Sequence, residues 1–368
     1  MSGSHERRVT RRGVRGAAAS AAVALGIAAA ATAVFGGGDG GPEDPRRAGA
    51  RESASVVSAA PSPAPSSGPA TPSAPPSRPV PTESPRLYRH PDSQVLEWVR
   101  THPGDPRRPV IESRIANRPT AVWFTEYAPG TVTSRVRAVT SAAAAQDRVP
   151  VLVAYAIPDR DCGGASEGGA PDLDAYDGWI DRFAAGLGSG ETVVILEPDS
   201  IAQAGCLPEA RRADRFASLA RAGRVLKAAN PRARVYYDAG HSGWNAPEKQ
   251  AALLRQAGAA SADGVFSNVS NFRGTADESA YDRRVLDALG GPPDLGAVID
   301  TSRNGNGAPR EGEWCDPAGR RIGRAPTFAT GEARIDAYLW VKPPGESDGC
   351  RGAAGEFSPS YAYELASS

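Results

Sequence analysis

Seven short apolar runs recur between residues 120 and 342, and each is continuous rather than alternating with polar positions. They are TAVWF (120–124), VPVLVAYA (149–156), TVVIL (192–196), RVYYDA (234–239), GVFSNV (264–269), LGAVID (295–300) and AYLWVK (337–342). Continuous apolar runs are typical of strands that are covered on both faces, as in a parallel sheet. The pattern therefore predicts seven buried, parallel strands.

Stretches with the apolar spacing of helices separate most of these runs. They are residues 134–146, 173–187, 209–229, 247–258 and 277–290. Strands that alternate with helices over this length predict an α/β fold, a single domain built as a parallel β/α barrel. Seven strands instead of eight would make the barrel irregular. Residues 301–331 show no helical pattern, and a long loop inside a compact domain is usually functional.

The N-terminal part differs in composition from the rest of the chain. Residues 1–36 contain an Arg-rich start and an Ala-rich apolar run, which predict a secretory signal peptide. An uncleaved signal anchor is the alternative, since the run approaches the length of a membrane span. Residues 37–87 are rich in Gly and then in Pro, Ser and Ala, and predict a disordered linker. We therefore assign residues 88–368 to the folded domain and expect a secreted protein, held at the membrane or cell surface only if the signal stays uncleaved.

Charge and cysteine content narrow the class of protein further. The chain has 42 Lys and Arg against 42 Asp and Glu, so no net charge favours nucleic acid as a partner. An even number of cysteines in an exported chain suggests two disulfides, and sequence proximity favours Cys162–Cys206 and Cys315–Cys350. No spacing of Cys and His suggests a metal site. We therefore expect neither a metal nor a cofactor.

Carboxylates recur just where the predicted strands end, at Asp161, Asp199, Asp238, Asp300 and Asp348. In a parallel barrel the carboxyl ends of the strands form one rim, which holds the active site. One such Asp is usually a helix cap or a salt-bridge partner, but several at matching strand ends indicate a site. Clustered carboxylates raise one another's pKa values, and a carboxyl still protonated near neutral pH can act as a general acid. A pair of them with no cofactor motif favours glycoside hydrolysis.

Aromatic residues lie at or just beyond the same strand ends, at Trp123, Tyr155, Trp244 and Trp314. A single aromatic residue more often packs in the core than binds a ligand. Four of them beside the carboxylates favour a sugar substrate, because sugar rings stack well on indole faces.

Six segments of the chain closely resemble glycoside hydrolase family 6, the cellulases that hydrolyse β-1,4-glucan with inversion. They are YAIPDRDCGGASEGGAP (155–171), ILEPDSI (195–201), YYDAGHSGW (236–244), VIDTSRNGNG (298–307), EWCDP (313–317) and LWVKPPGESDGC (339–350). The likeness covers residues 92–366 in one colinear series. It implies the distorted seven-stranded barrel of that family and a β-1,4-glucan polysaccharide as the partner. We expect a monomer that binds no nucleic acid.

The resemblance implies roles for four carboxyl groups. Asp199 would be the general acid that protonates the leaving glycosidic oxygen, and Asp161 would keep Asp199 protonated and assist distortion of the sugar ring. Asp348 is the candidate general base, although the resemblance leaves open whether the attacking water loses its proton to Asp348 directly. Asp238 would support substrate binding and the local charge balance.

The resemblance also implies a set of residues that line the glucan subsites. They are Trp123, Tyr155, His241, Trp244, Asn271, Trp314, Lys342 and Glu346. The two disulfides favoured above match the pairs of the family. Gly274 stands where relatives often carry Trp, which would weaken one platform for sugar stacking.

Loop length separates endoglucanases from cellobiohydrolases in this family, because the cellobiohydrolases cover the cleft with two long loops. Here the paired cysteines lie only 44 and 35 positions apart, which leaves little room for a roof. An open cleft, and therefore a secreted inverting endo-β-1,4-glucanase, is favoured. A cellobiohydrolase of the same family is one alternative. A catalytically inactive surface glucan-binding protein is the other, and the intact Asp161, Asp199 and Asp348 argue against it.

Overall fold

The computed structural model describes residues 86–367 of the chain. The predicted signal, residues 1–36, and almost all of the predicted linker lie outside the described residues. The described fold starts slightly earlier than the predicted boundary at residue 88. Arg86–Leu87 form strand β1, which pairs in parallel with strand β3, Arg148–Val149, in a separate two-stranded sheet.

The main sheet has seven strands, and each lies within or overlaps one predicted apolar run. They are β2 (Val122–Phe124), β4 (Val151–Ala154), β5 (Thr192–Leu196), β6 (Ala233–Asp238), β7 (Gly264–Ser267), β8 (Gly296–Asp300) and β9 (Ile335–Leu339). Neighbours in this order are all parallel. The chain segments at the two outer strands meet where Ala121 N donates a 3.0 Å hydrogen bond to Trp340 O. The sheet therefore curls into a distorted seven-stranded barrel, and the predicted fold is confirmed.

Eight α-helices accompany the strands within residues 86–367. They are α1 (Gln94–Thr101), α2 (Arg108–Ile111), α3 (Val132–Ala144), α4 (Leu173–Ala184), α5 (Glu209–Ala229), α6 (Pro247–Gln256), α7 (Thr275–Leu289) and α8 (Pro359–Ser367). The five predicted helices are α3 to α7, whereas α1, α2 and α8 were not predicted. Residues 301–331 contain no helix, as predicted.

The core has two layers because the strands are apolar on both faces. In β5, Val193 and Ile195 point to one side and belong to the cluster inside the barrel. Val194 and Leu196 point to the other side, where they pack among residues of the surrounding helices. All four side chains are completely buried. This arrangement explains why the strand sequences are continuous rather than alternating.

A third apolar cluster joins the helices that were not predicted. Trp98 from α1 and Ala362 from α8 pack in it with Trp340, which directly follows β9. Ser93 caps α1, since its Oγ accepts a hydrogen bond from Leu96 N. In the part of the chain that the structure describes, no helix combines the length and the apolar character needed to cross a bilayer.

Candidate active site

The carboxyl ends of the seven strands surround a cavity of about 1360 Å³. All the predicted substrate-binding residues line it, together with three of the four predicted catalytic carboxyls. These lining residues are Trp123, Tyr155, Asp161, Asp199, His241, Trp244, Asn271, Trp314, Lys342, Glu346 and Asp348. The structure therefore brings the predicted site together, with Asp238 outside the lining.

Asp199 reaches the cavity because β5 ends abruptly. Pro198 has no backbone N–H and cannot continue the ladder beyond Leu196. The residues on either side of it, Glu197 and Asp199, have φ angles of 50° and 68°. This left-handed backbone turns the chain sharply, so that Asp199 is partly exposed while Glu197 is completely buried.

The surroundings of Asp199 favour its protonated form. Burial is the largest influence, and the negative charges of Asp238, Asp161 and Asp348 add to it. Together they raise the pKa of Asp199 well above its ordinary value. A carboxyl in this state can carry a proton near neutral pH and deliver it to a bound molecule.

Asp238 is buried behind Asp199 and is held by backbone N–H groups. Its Oδ2 accepts from Ile201 N at 3.1 Å and Ala202 N at 2.8 Å, and its Oδ1 accepts from Gly240 N at 2.9 Å. Burial raises the pKa of Asp238 while these donors oppose the rise. Because these donors stabilise the ionised form of Asp238, we assign the proton to Asp199 and the negative charge to Asp238. Asp238 is in position to support the charge balance but not to contact a molecule in the cavity.

Asp161 lies on a loop after β4 that a disulfide holds in place. Its φ angle of 54° is in the left-handed region, and its Oδ2 accepts two 2.9 Å hydrogen bonds from Ser166, one from N and one from Oγ. The Tyr155 hydroxyl lies 3.0 Å from the same Ser166 Oγ. The neighbouring residue Cys162 is bonded to Cys206, as predicted. The disulfide thus ties the Asp161 loop to the segment that follows Asp199.

Asp348 lies between two cations. Arg303 Nη1 donates a 2.8 Å hydrogen bond to Asp348 Oδ2, and Lys342 Nζ lies 3.4 Å from Oδ1. The Arg303 side chain is completely buried, and its guanidinium lies over the Phe272 ring at 4.4 Å from the ring centre. The negative charge of Asp348 is therefore balanced from two sides at the wall of the cavity.

Asp316 fixes the backbone of the loop that carries Asp348. Its side chain accepts hydrogen bonds from Asp348 N at 2.8 Å, Cys350 N at 3.1 Å and Arg351 N at 3.0 Å. The Cys315–Cys350 disulfide, also as predicted, joins the same two segments. The position of Asp348 thus depends on a second carboxylate and on a covalent bond.

The aromatic residues fall into two groups. Trp123 and Tyr155 contact each other edge to face, with ring centres 5.3 Å apart, and Trp123 Nε1 donates to Val341 O at 2.7 Å. This pair forms a fixed wall of the cavity. Trp244 and Trp314 are 36% and 57% exposed, so each leaves much of its indole open to solvent beside the cleft. Exposed indoles at a cleft are suited to stack on flat ligand faces.

His241 is held as a neutral side chain. Its Nδ1 accepts a 3.1 Å hydrogen bond from Gly243 N, which leaves the proton on Nε2. Burial lowers the pKa of His241 to about 4, and the charge of Arg273 adds to this effect. At neutral pH the ring can therefore donate a hydrogen bond from Nε2 without carrying a charge.

The other polar lining residues are anchored by protein partners. Burial raises the pKa of Glu346 to about 7, and Gln94 Nε2 donates to its Oε1 at 2.9 Å. Lys342 Nζ donates to Ser347 O at 3.1 Å, and Asn271 Nδ2 donates to a backbone oxygen. These contacts fix the side chains before any ligand binds.

The sequence did not identify several residues that shape this site. Arg303, Asp316 and Ser166 fall within the quoted motifs or next to them, but no role was assigned to them. Glu197 lies within the motif ILEPDSI, and no role was assigned to it either. Its completely buried side chain accepts from Ala156 N and Ile157 N, and burial raises its pKa to about 7. The only sequence signal was a charged residue within a motif, and that signal does not indicate which contacts form.

No group of three or more His, Cys, Asp and Glu side chains within residues 86–367 is arranged to hold a metal ion. The expected lack of a metal and of a cofactor stays a prediction.

Comparison with characterised proteins identifies the family. The family model described as glycosyl hydrolases family 6 matches residues 85–367. The chain is 53% identical over 285 residues to Endoglucanase 1 of Streptomyces sp. (strain KSM-9), covering 77% of this chain and 78% of that protein. It is 50% identical over 282 residues to Endoglucanase A of Thermobispora bispora, covering 76% of this chain but only 61% of that longer protein.

A solved structure agrees with this result. The endoglucanase Cel6 from Mycobacterium tuberculosis, in complex with methyl-cellobiosyl-4-deoxy-4-thio-β-D-cellobioside, superimposes with a TM-score of 0.72 and 40% sequence identity. The match covers 77% of this chain and 97% of the other. The chain belongs to glycosyl hydrolase family 6.

Proposed function

We propose that this protein is an endo-acting glycoside hydrolase that cleaves internal β-1,4-glucosidic bonds of cellulose or a related β-glucan with inversion. The observation that carries the proposal is the pairing of two unlike carboxyl groups in one cavity. Burial and neighbouring charges raise the pKa of Asp199, whereas Asp348 is paired with Arg303 and Lys342. Two carboxyls in different protonation states are what hydrolysis of a glycosidic bond requires.

The roles follow from these two states. Asp199 donates its proton to the glycosidic oxygen while the bond from that oxygen to the anomeric carbon breaks. A water molecule attacks the anomeric carbon from the opposite face of the sugar, and Asp348 accepts the proton that this water loses. Attack from the face opposite to the leaving group inverts the configuration.

Asp161 and Tyr155 assist the same step, but neither of them donates the proton. The charge of Asp161 helps to raise the pKa of Asp199 and so keeps the acid protonated. Tyr155 lines the cavity beside Asp161, and the Ser166 hydroxyl contacts both side chains. From this position its ring crowds the sugar at which the bond is cleaved and favours a distorted ring.

The open aromatic platforms favour internal cleavage. Trp314 is 57% exposed and Trp244 is 36% exposed, although both line the cavity. A covered tunnel would bury indoles in these positions. A chain can therefore enter the cleft from the side, which suits an endoglucanase better than a cellobiohydrolase. The two relatives compared above, 53% and 50% identical to this chain, are both named endoglucanases.

The experiment that tests this proposal compares two measurements on carboxymethylcellulose. An endoglucanase lowers the viscosity steeply while it releases few reducing ends, because each internal cut shortens a long chain strongly but creates only one new reducing end. A slow fall in viscosity relative to reducing ends would point to the cellobiohydrolase alternative. Tight glucan binding without any release of reducing ends would point to the inactive binding protein. Parallel assays on mixed-linkage glucan define the preferred polymer.

The place of action is part of the same proposal. The basic and Ala-rich N-terminal segment supports export, and the two disulfides suit an oxidising compartment. N-terminal sequencing of protein from the culture medium tests whether residues 1–36 are removed. Recovery only in the membrane fraction, with the segment intact, would instead identify an anchored enzyme. Size-exclusion chromatography with light scattering tests the expected monomer.

A further inference from the structure

Two carboxyl groups are buried side by side on α7, away from the cavity. Glu278 and Asp282 lie one helical turn apart, and both are completely buried. Among the ion pairs within residues 86–367 none involves either carboxyl. The nearest basic residue on the helix, Arg283, instead pairs with Glu332 at 2.7 Å. Two ionised carboxylates in this position would repel each other, and no ion pair within the described residues balances either of them directly.

Each carboxyl has one satisfied oxygen and one unsatisfied oxygen. Glu278 Oε1 accepts a 2.9 Å hydrogen bond from Ser242 N, and Asp282 Oδ2 accepts one of 2.9 Å from Ser267 Oγ. Glu278 Oε2 and Asp282 Oδ1 are buried and have no hydrogen-bond partner among the described residues. A single proton held by the pair would remove the repulsion.

We propose that Glu278 and Asp282 share one proton and that this pair positions the His241–Trp244 turn in the glucan cleft. The proposal rests on the proposed function and adds two positioning residues to it. Glu278 and Asp282 do not line the cavity and act on the substrate only through Ser242.

The titration behaviour of the pair agrees with the geometry. Burial raises the pKa of both groups, and the charge of Glu278 raises the pKa of Asp282 further. Other ionisable side chains also act on the pair or on its neighbours Tyr281 and Ser279. They are Arg273, Arg283, Asp238, Glu332 and Tyr338. Of these, Arg273 and Arg283 favour the remaining negative charge of the pair.

The link to the cleft runs through a tight turn. Trp244 N donates to His241 O at 2.9 Å, so residues 241–244 form a closed turn whose second residue is Ser242. Glu278 holds the N–H of that residue, between the imidazole and the indole that line the cavity. Without this hydrogen bond to Glu278, the turn that carries His241 and Trp244 is no longer held against α7.

The first test follows the melting temperature of the full chain against pH. A carboxyl whose folded pKa is raised stabilises the fold at low pH, and this contribution is lost as the pH rises through the raised pKa. In Glu278→Gln the amide oxygen still accepts from Ser242 N, but the side chain can no longer ionise. We expect the wild type to lose more stability than Glu278→Gln as the pH rises from the ordinary pKa of a carboxyl through the raised pKa. Asp277→Asn, an exposed neighbour with the same charge change, is the matched control and should follow the wild type. If the melting temperatures of the wild type and Glu278→Gln change in parallel with pH, the shared proton is excluded.

The second test separates binding from chemistry on carboxymethylcellulose. Glu278→Ala removes the acceptor for Ser242 N, and we expect KM to rise about three- to tenfold, the range for one lost hydrogen bond, at nearly unchanged kcat. Glu278→Gln should restore the KM. A fall in kcat at unchanged KM, or a Gln variant no better than the Ala variant, would overturn the positioning role. If the wild type hydrolyses no glucan, the proposed function fails, but the pH test still decides whether the proton is shared.

Discussion

Arg303 holds Asp348 from below the cavity with a 2.8 Å hydrogen bond, and its guanidinium is completely buried. The same guanidinium lies 3.9 Å from Asp316 Oδ1 and donates to Ser270 O. One buried cation therefore stabilises both the candidate base, Asp348, and Asp316, the carboxylate that fixes the loop of Asp348. A buried charge of this kind is costly to leave without its partner.

Replacing this arginine should destabilise the whole domain. In Arg303→Met the apolar chain can still pack on Phe272, but Asp348 and Asp316 lose their buried cation. We expect a loss of about 3–5 kcal/mol in the free energy of unfolding, measured by urea denaturation near neutral pH. Arg100→Met is the control, because Arg100 pairs with Glu97 at the exposed surface and should change stability little. Equal stabilities for the two variants would contradict this account of Arg303.

The disulfide beside Asp348 should matter for both stability and turnover. Cys315→Ser with Cys350→Ser opens a loop of 35 residues, and the chain-entropy account predicts a loss of about 3–4 kcal/mol. The backbone that carries Asp348 also loses its covalent tie, so kcat should fall more than KM changes. Denaturation and steady-state kinetics on the double variant measure these two effects. Wild-type kcat in the double variant would show that Asp316 alone fixes the loop.

The elements that form the site were predictable because each strand is a continuous apolar run and helical patterns separate most of these runs. In β5 the predicted and observed bounds are the same, Thr192–Leu196. Helices α1 and α8 were missed for a physical reason. They have only eight and nine residues, which is too short for a helical pattern to be distinctive, and their apolar side chains are buried in the cluster around Trp340.

The site residues were predictable where a motif or the end of a predicted strand carried them. Asp199 and Asp348 line the cavity as expected, but Asp238 and Asp300 have the same position after a strand and are buried. Backbone N–H groups hold the latter two, and a sequence does not show which N–H groups will face a carboxylate. Arg303 was missed because its partner Asp348 is 45 positions away. Such contacts depend on the fold and not on local spacing.

Glu197 should contribute a pH dependence of stability that is separate from catalysis. Burial raises its pKa to about 7, and its ordinary value is 4.5. Its contribution to stability is present below the ordinary pKa and is lost as the pH rises between these two values, by about 1.4 kcal/mol for each pH unit at most. Glu197→Gln removes this titration, so its melting temperature should fall less than that of the wild type between pH 5 and about 7. If the difference in melting temperature between Glu197→Gln and the wild type stays constant across that interval, Glu197 does not titrate there.

The stereochemistry of the first product tests the roles of the two carboxyls together. If water attacks from the face opposite to the leaving group, the new reducing end should first appear as the α-anomer. Proton NMR of a fresh digest of a soluble cello-oligosaccharide resolves the two anomers before they interconvert. An initial excess of the β-anomer would mean a retaining mechanism and would exclude the roles proposed for Asp199 and Asp348.

The last prediction separates the acid from the base by the choice of leaving group. Asp199→Asn removes the proton donor, which a sugar leaving group needs and an activated aryl leaving group does not. We expect a loss of about 10²- to 10⁴-fold in kcat on cellulose and a much smaller loss on an aryl cellobioside. Asp348→Asn should reduce both rates alike, because attack by water is needed whichever group leaves.

The pH dependence of activity tests the role of Asp199 in a second way. Because burial raises the pKa of Asp199, the active protonated form persists towards neutral pH, and activity should fall as the pH rises through that pKa. In Asp199→Asn with the aryl substrate this alkaline fall should disappear, since no acid remains to lose its proton. Equal losses on both substrates, with the alkaline fall intact, would show that Asp199 is not the acid. Asp161 is the next carboxyl in the cavity, and the same pair of substrates applied to Asp161→Asn would then identify the donor.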